Sequence, residues 1–252
     1  MTNKRSLLLV AATLLSNLSL AAADDKPTVR NDAPGKADKT LFRVLFHVEN
    51  DGFTPPAKNQ PLQVMLAKHP TLTFFEACGV GDAAEVAKQL KRDSKLATGW
   101  SELGFSAVHL AAFSGSPAVL KLVLDAGGQA NINVRARSRF KNTPLQYALL
   151  TGQLATAKLL LDRGADPMVR QALGFAPIHE AALLGRRDLA DLLLEAGAEL
   201  NSRTDDGRTP LTEAMRHKHT ELAEYMRAKG ARGAEITEDL TKEAAEPPKA
   251  AR

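Results

Sequence analysis

The stretch from Gly174 to Asn201 reads GFAPIHEAALLGRRDLADLLLEAGAELN. Ala176-Pro177-Ile178-His179 opens a short helix and Gly185 closes it. Leu189 to Leu194 form a second helix that Gly197 closes. The same arrangement recurs on both sides. Thr143-Pro144-Leu145 lies 33 residues before Ala176-Pro177-Ile178, and Thr209-Pro210-Leu211 lies 33 residues after it. Ser106-Ala107-Val108-His109 lies 37 residues before Thr143. A fixed period of this length means stacked supersecondary units.

The residues explain why one unit folds as it does. In the copy from 143 to 166, the Thr143 hydroxyl is placed to accept a hydrogen bond from an orphan helix N–H. Pro144 then occupies the first helical position, where a missing N–H costs nothing. Leu145, Ala148 and Leu149 form an apolar stripe at helical spacing. Gly152 and Gly164 stop the two helices, because glycine takes the left-handed conformation without strain. The second helix carries Leu159, Leu160 and Leu161. Each pair is too short to bury its own apolar face, so stacking on neighbours must complete the core.

On these residues the chain resembles the ankyrin-repeat family, whose unit of about 33 residues opens with a TPLH-type helix start. The matches are SAVHLAAFSG at 106–115, TPLQYALLTG at 143–152, APIHEAALLG at 176–185 and TPLTEAMRHK at 209–218. The endings are LVLDAGG at 122–128, LLLDRGAD at 159–166 and LLLEAGAE at 192–199. A degenerate first copy, FFEACGVGD at 74–82, falls into register with Leu72 aligned to Ser106. The resemblance implies an all-α solenoid of about five helix–turn–helix repeats with hairpin-like finger loops. The repeats span 72–105, 106–142, 143–175, 176–208 and 209–232.

Around this array the composition is that of an ordinary soluble protein, 44% hydrophobic and 25% charged. The net charge of +4 is too small to argue for nucleic acid. Residues 1–23 read as a secretory signal peptide: Lys4 and Arg5, an apolar core from Ser6 to Leu20, then Ala21-Ala22-Ala23. The competing reading is a retained N-terminal anchor. The expected location is the periplasm or the exterior, with no membrane span in the mature chain. Residues 24–39 read as a flexible leader, 40–71 as a region capping the open end of the first repeat, and 233–252 as a polar tail. Cys78, the one cysteine, is expected to be a buried small hydrophobe on the first repeat.

A search for chemistry finds little. There is no Cys-x-x-Cys pair, no phosphate loop and no Gly-x-Ser-x-Gly elbow. His109 and His179 occupy the His slot of the TPLH-type motif, where they are expected to tie adjacent repeats together. No catalytic residue, metal ligand or cofactor is assigned. An enzyme site within 40–70 is an alternative, but that segment is too short for an independent catalytic domain.

What remains is surface. The connection NINVRARSRFKN carries Arg135, Arg137, Arg139 and Lys141 at every second position, and an extended finger would place all four on one side. The resemblance implies a concave face built from finger loops and inner helices. Carried over by register, Phe105, Phe175 and Arg208 precede the first helices and Phe113, Leu150, Leu183 and Leu184 lie late in them; Trp100 of the first connection and Arg135, Arg137, Arg139 and Phe140 of the basic finger complete the expected partner-binding residues. An aromatic and leucine cluster rimmed by arginine suits a protein interface. The competing reading is that Phe113, Leu150 and Leu183 pack between helices. The expected function is that of a monomeric, non-catalytic scaffold for a protein partner. A secreted effector acting on a host protein is the alternative.

Overall fold

The computed structural model describes residues 72–138 and 140–233. The signal peptide, leader and capping region expected over 1–71, Arg139, and the tail beyond Gly233 lie outside the described residues. Among the described residues, ten helices form five helix–turn–helix pairs: α1 (Phe74–Val80) with α2 (Ala83–Arg92), α3 (Ala107–Ser114) with α4 (Pro117–Asp125), α5 (Pro144–Leu150) with α6 (Leu154–Asp162), α7 (Pro177–Leu183) with α8 (Arg187–Glu195), and α9 (Pro210–Arg216) with α10 (Thr220–Ala228). Short 3₁₀ turns occupy Ser94–Thr98 and Gly128–Asn131. The described residues contain no strand, only an isolated antiparallel bridge between Trp100 and Ser106. The architecture is the all-α repeat solenoid that the period demands.

The caps act as the sequence dictates. Ser106, Thr143 and Thr209 each accept a hydrogen bond from the backbone N–H three residues on. Odd helices stack on odd helices, and α2, α4, α6 and α8 form a second layer behind them. Leu110, Leu120, Leu145, Leu149, Leu160, Ile178, Leu189 and Leu193 fill the space between and are fully buried. Each such side chain contributes roughly 1.5–3 kcal/mol of transfer free energy. Cys78 is wholly buried in the same core, and burial pushes its thiol pKa well above the ordinary range.

One register differs from expectation. The first helix is capped by Thr73, which lies 33 residues before Ser106, so Thr73 and not Leu72 is the equivalent of Ser106. The left-handed glycines Gly81 and Gly115 lie 34 apart, because α1 has 7 residues and α3 has 8. At the other end Lys218 holds the left-handed turn, at φ +60°, that Gly115, Gly152 and Gly185 hold elsewhere. Arg227, exposed where Leu161 and Leu194 are half-buried, gives the last repeat a polar outer surface.

Candidate partner-binding surface

The loops between pairs rise as a row of tight fingers. In three of them the same bonds close the tip. Ser101 N–H donates to the Phe105 carbonyl at 2.8 Å, Gln171 to Phe175 at 2.9 Å and Thr204 to Arg208 at 2.9 Å. A left-handed glycine turns each tip, and at two of them a side chain would also collide with the next finger. Gly104 and Gly174 have φ of +79° and +77°, and a Cβ on either would stand within 2.7 Å of the next finger's atoms. The close approach joins the fingers edge to edge. Arg137 N–H donates to the Gly104 carbonyl at 2.8 Å, Ala172 to Phe140 at 2.7 Å and Asp205 to Leu173 at 3.2 Å.

The histidines fix each finger to its helix. His109 Nδ1 accepts from the Ser106 N–H at 3.2 Å while its Nε2 donates to the Asn142 carbonyl at 3.2 Å. His179 does the same with the Ala176 N–H at 3.2 Å and the Arg208 carbonyl at 3.3 Å. Burial lowers the pKa of both to about 4, which keeps Nδ1 free to accept. Their role is to tie repeats together. Gln146 fills the slot in the third repeat. Its Oε1 accepts from the Thr143 N–H at 3.0 Å, and its Nε2 donates to the Phe175 carbonyl at 3.0 Å.

Beneath the first two fingers the inner helices present an aromatic cluster. Tyr147 is packed by Phe105, His109 and Phe113, with ring centroids 5.7, 5.9 and 6.4 Å away. Beneath the last two the same face is polar. Glu180 is buried beside Glu213, its Oε1 accepting from Gln146 Nε2 at 3.2 Å. Burial raises the Glu180 pKa to about 8, with the neighbouring Glu213 adding to the shift. Glu213 pairs with Arg208 at 2.8 Å and stands 3.8 Å from His217.

These facts sort the surface residues expected from the sequence. Phe105, Phe113, Phe140, Phe175 and Leu183 are buried, Phe113 to 1% exposure, so their side chains are core and not a contact surface. The reason is the short period: a ring at the base of a finger is enclosed by the next finger and the next inner helix. Leu150 and Leu184 are half-buried. Trp100 is half-buried with the Arg137 guanidinium 4.2 Å above its ring, and Arg208 lies 5.1 Å over Phe175. Arg135 and Arg137 are exposed. The expected row of four cations on one extended strand does not form, because Lys141 turns the chain at φ +55° and puts itself on the returning limb. Ala136 N–H and the Asn142 carbonyl join the two limbs at 2.8 Å.

The structure adds two residues that pattern reading missed. Leu103 and Leu173 are exposed to 41% and 48% at the finger tips. Their signal was in the sequence: Leu-Gly-Phe recurs at 103–105 and 173–175. No described helix is long and apolar enough to cross a membrane.

Comparison with known proteins agrees with this geometry. Models described as "Ankyrin repeats" match residues 74–171, with 3 copies, and 178–227, with many copies. A Caenorhabditis elegans protein described as a transient receptor potential cation channel subfamily A member 1 homolog is 31% identical over 140 residues, 50% of this chain and 11% of its own length. The Arabidopsis thaliana ADP-ribosylation factor GTPase-activating protein AGD2 is 37% identical over 73 residues, 29% of this chain and 9% of its own. The chain thus spans about a tenth of the length of these relatives. With the period, the paired helices, the fingers and the His-slot ties all present, the chain belongs to the ankyrin-repeat family.

Proposed function

We propose that this protein is a non-catalytic, exported scaffold that captures another protein with its finger row. The repeats supply the interaction surface. The observation that carries the reading is the exposure of Leu103 and Leu173 at finger tips held rigid by backbone bonds between fingers. Exposed leucines beside exposed arginines on a fixed frame favour a protein partner over a small ligand. Half-buried Leu150 and Leu184 extend the surface down the inner helices. Export rests on the pattern of residues 1–23 alone. The mature chain acts as a monomer, and nucleic acid is not its partner.

The test uses the full chain as bait in an envelope extract, against a Leu103→Asp, Leu173→Asp variant. Both residues are exposed, so the variant keeps its fold. One dominant protein lost with the variant supports the reading; equal capture by both baits rejects the finger row as the contact. Intact mass of the recovered protein tests export, with residues 1–23 absent from the exported form.

A further inference from the structure

The cations of the finger row are not equally matched. Arg170 pairs with Asp205 at 2.9 Å, and Arg208 pairs with Asp206 at 2.7 Å and Glu213 at 2.8 Å. On the second finger, Arg135, Arg137 and Lys141 have no carboxylate within ion-pair distance among the described residues, although all three are exposed. Arg137 is held in place. Its backbone N–H bonds to Gly104 and its guanidinium lies 4.2 Å above Trp100, on a side chain that is exposed. A fixed guanidinium on a finger that carries two further exposed cations, Arg135 on the same limb and Lys141 on the returning one, is a ready seat for carboxylates.

The chain carries a complementary segment. Between Glu235 and Glu246 lie Glu235, Glu238, Asp239, Glu243 and Glu246 against a single Lys242, with Ile236 and Leu240 among them. The segment begins at the correct edge of the molecule. Gly230 repeats the left-handed turn of Gly164 and Gly197, so the chain leaves the last repeat where the next finger would rise. Arg232 N–H bonds to Asn201 Oδ1 there at 2.6 Å.

Reach agrees with charge. Stacked helices lie about 10 Å apart, which puts the Leu173 tip about 20 Å and the second finger about 30 Å from Gly233. An extended chain covers about 3.3 Å per residue, so Leu240 arrives near 23 Å and Glu243 and Glu246 between about 33 and 43 Å. The order of the tail matches the order of the row: an aliphatic residue at exposed Leu173, then acids at Arg135, Arg137 and Lys141. Exposed Arg203 lies on the way. The first finger carries an exposed carboxylate, Glu102, so the acids belong on the second finger and not the first.

We infer that residues 235–246 dock back along the finger row as an acidic strap, with Glu243 and Glu246 on the Arg135, Arg137 and Lys141 cluster. The strap covers the surface assigned above to the partner, and a partner must displace it. This regulatory consequence rests on the scaffold reading; the docking itself does not. The test is zero-length carbodiimide coupling of the dilute full chain, mapped by peptide mass spectrometry. The expected result is an amide between Lys141 and Glu243 or Glu246 in the monomer, lost in high salt and lost in an Arg135→Glu, Arg137→Glu variant. Tail coupling only to Lys218 or Lys229, a Lys141 link unchanged by the charge reversal, or a link confined to coupled dimers each overturns it. No partner takes part, so failure here leaves the scaffold reading standing.

Discussion

His109, Gln146 and His179 make the same two bonds from three successive repeats, and the chain therefore contains its own control. Glutamine can accept and donate at any pH; a histidine must stay neutral to do both. The two histidines titrate near 4 in the folded state against about 6.5 when unfolded. His217, also lowered to about 4 by burial, adds to them. The unfolded chain binds more protons between these values, so stability is full above about pH 6.5 and falls toward pH 4. Glu180 acts with the opposite sign. Its pKa is raised to about 8 from 4.5, so the folded state holds the extra proton and stability falls as pH climbs through that window. A His109→Gln, His179→Gln variant is expected to keep its stability at pH 7 and to lose less than the parent on going to pH 5, as read from urea midpoints. An equal loss in both would show that the two histidines carry no acid sensitivity. The structural role of the His slot was legible from its place in the motif. The Glu180 shift was not, since it requires knowing that α5 and α9 enclose it.

Helix ends decide how each unit starts and stops. Thr143 and Thr209 cap α5 and α9 through their hydroxyls, while Ala176 at the same position of α7 has no side-chain acceptor. Thr143 and Thr209 are as buried as Ala176, so the register has room for a hydroxyl. Ala176→Ser is expected to stabilise the protein by about 1 kcal/mol, seen as a higher urea midpoint with an unchanged slope. No gain would mean that the His179 N–H, which already donates to the Ala176 carbonyl at 2.9 Å, needs no hydroxyl. Pattern reading placed the four later first helices through their capping residues and prolines. It set the first helix one residue off by aligning Leu72 with Ser106 in a copy too degenerate to show its own start, and only the Thr73–Glu76 reciprocal bonds, at 3.3 and 2.7 Å, locate it.

Across the whole molecule the stack separates two kinds of residue that look alike in sequence. Phe175 closes the space between its finger and His179, with ring centroids 5.5 Å apart, and lies under Arg208. Phe175→Ala is expected to cost about 3 kcal/mol or more. Arg137→Glu, on an exposed guanidinium, is expected to cost under about 1 kcal/mol, mainly the lost contact with Trp100. Thermal or urea unfolding of the two variants checks this, and a mild Phe175→Ala would return that ring to the candidate surface. Binding experiments on this family member should therefore alter finger tips, not finger bases.

The period of 33, the capping residues, the turn glycines and the leucine pairs determined by themselves that the chain is a helical repeat stack, because each acts within one repeat or between neighbours. Exposure was decided only by tertiary structure. Whether Phe105 faces a partner or the core depends on how closely the next finger approaches, and that follows from a 2.8 Å backbone bond between Arg137 and Gly104 that no pattern records. The same approach turned a supposed row of four arginine and lysine side chains into two limbs of a hairpin. It also left Leu103 and Leu173, inconspicuous before their glycines, as the most exposed of the large apolar side chains among the described residues.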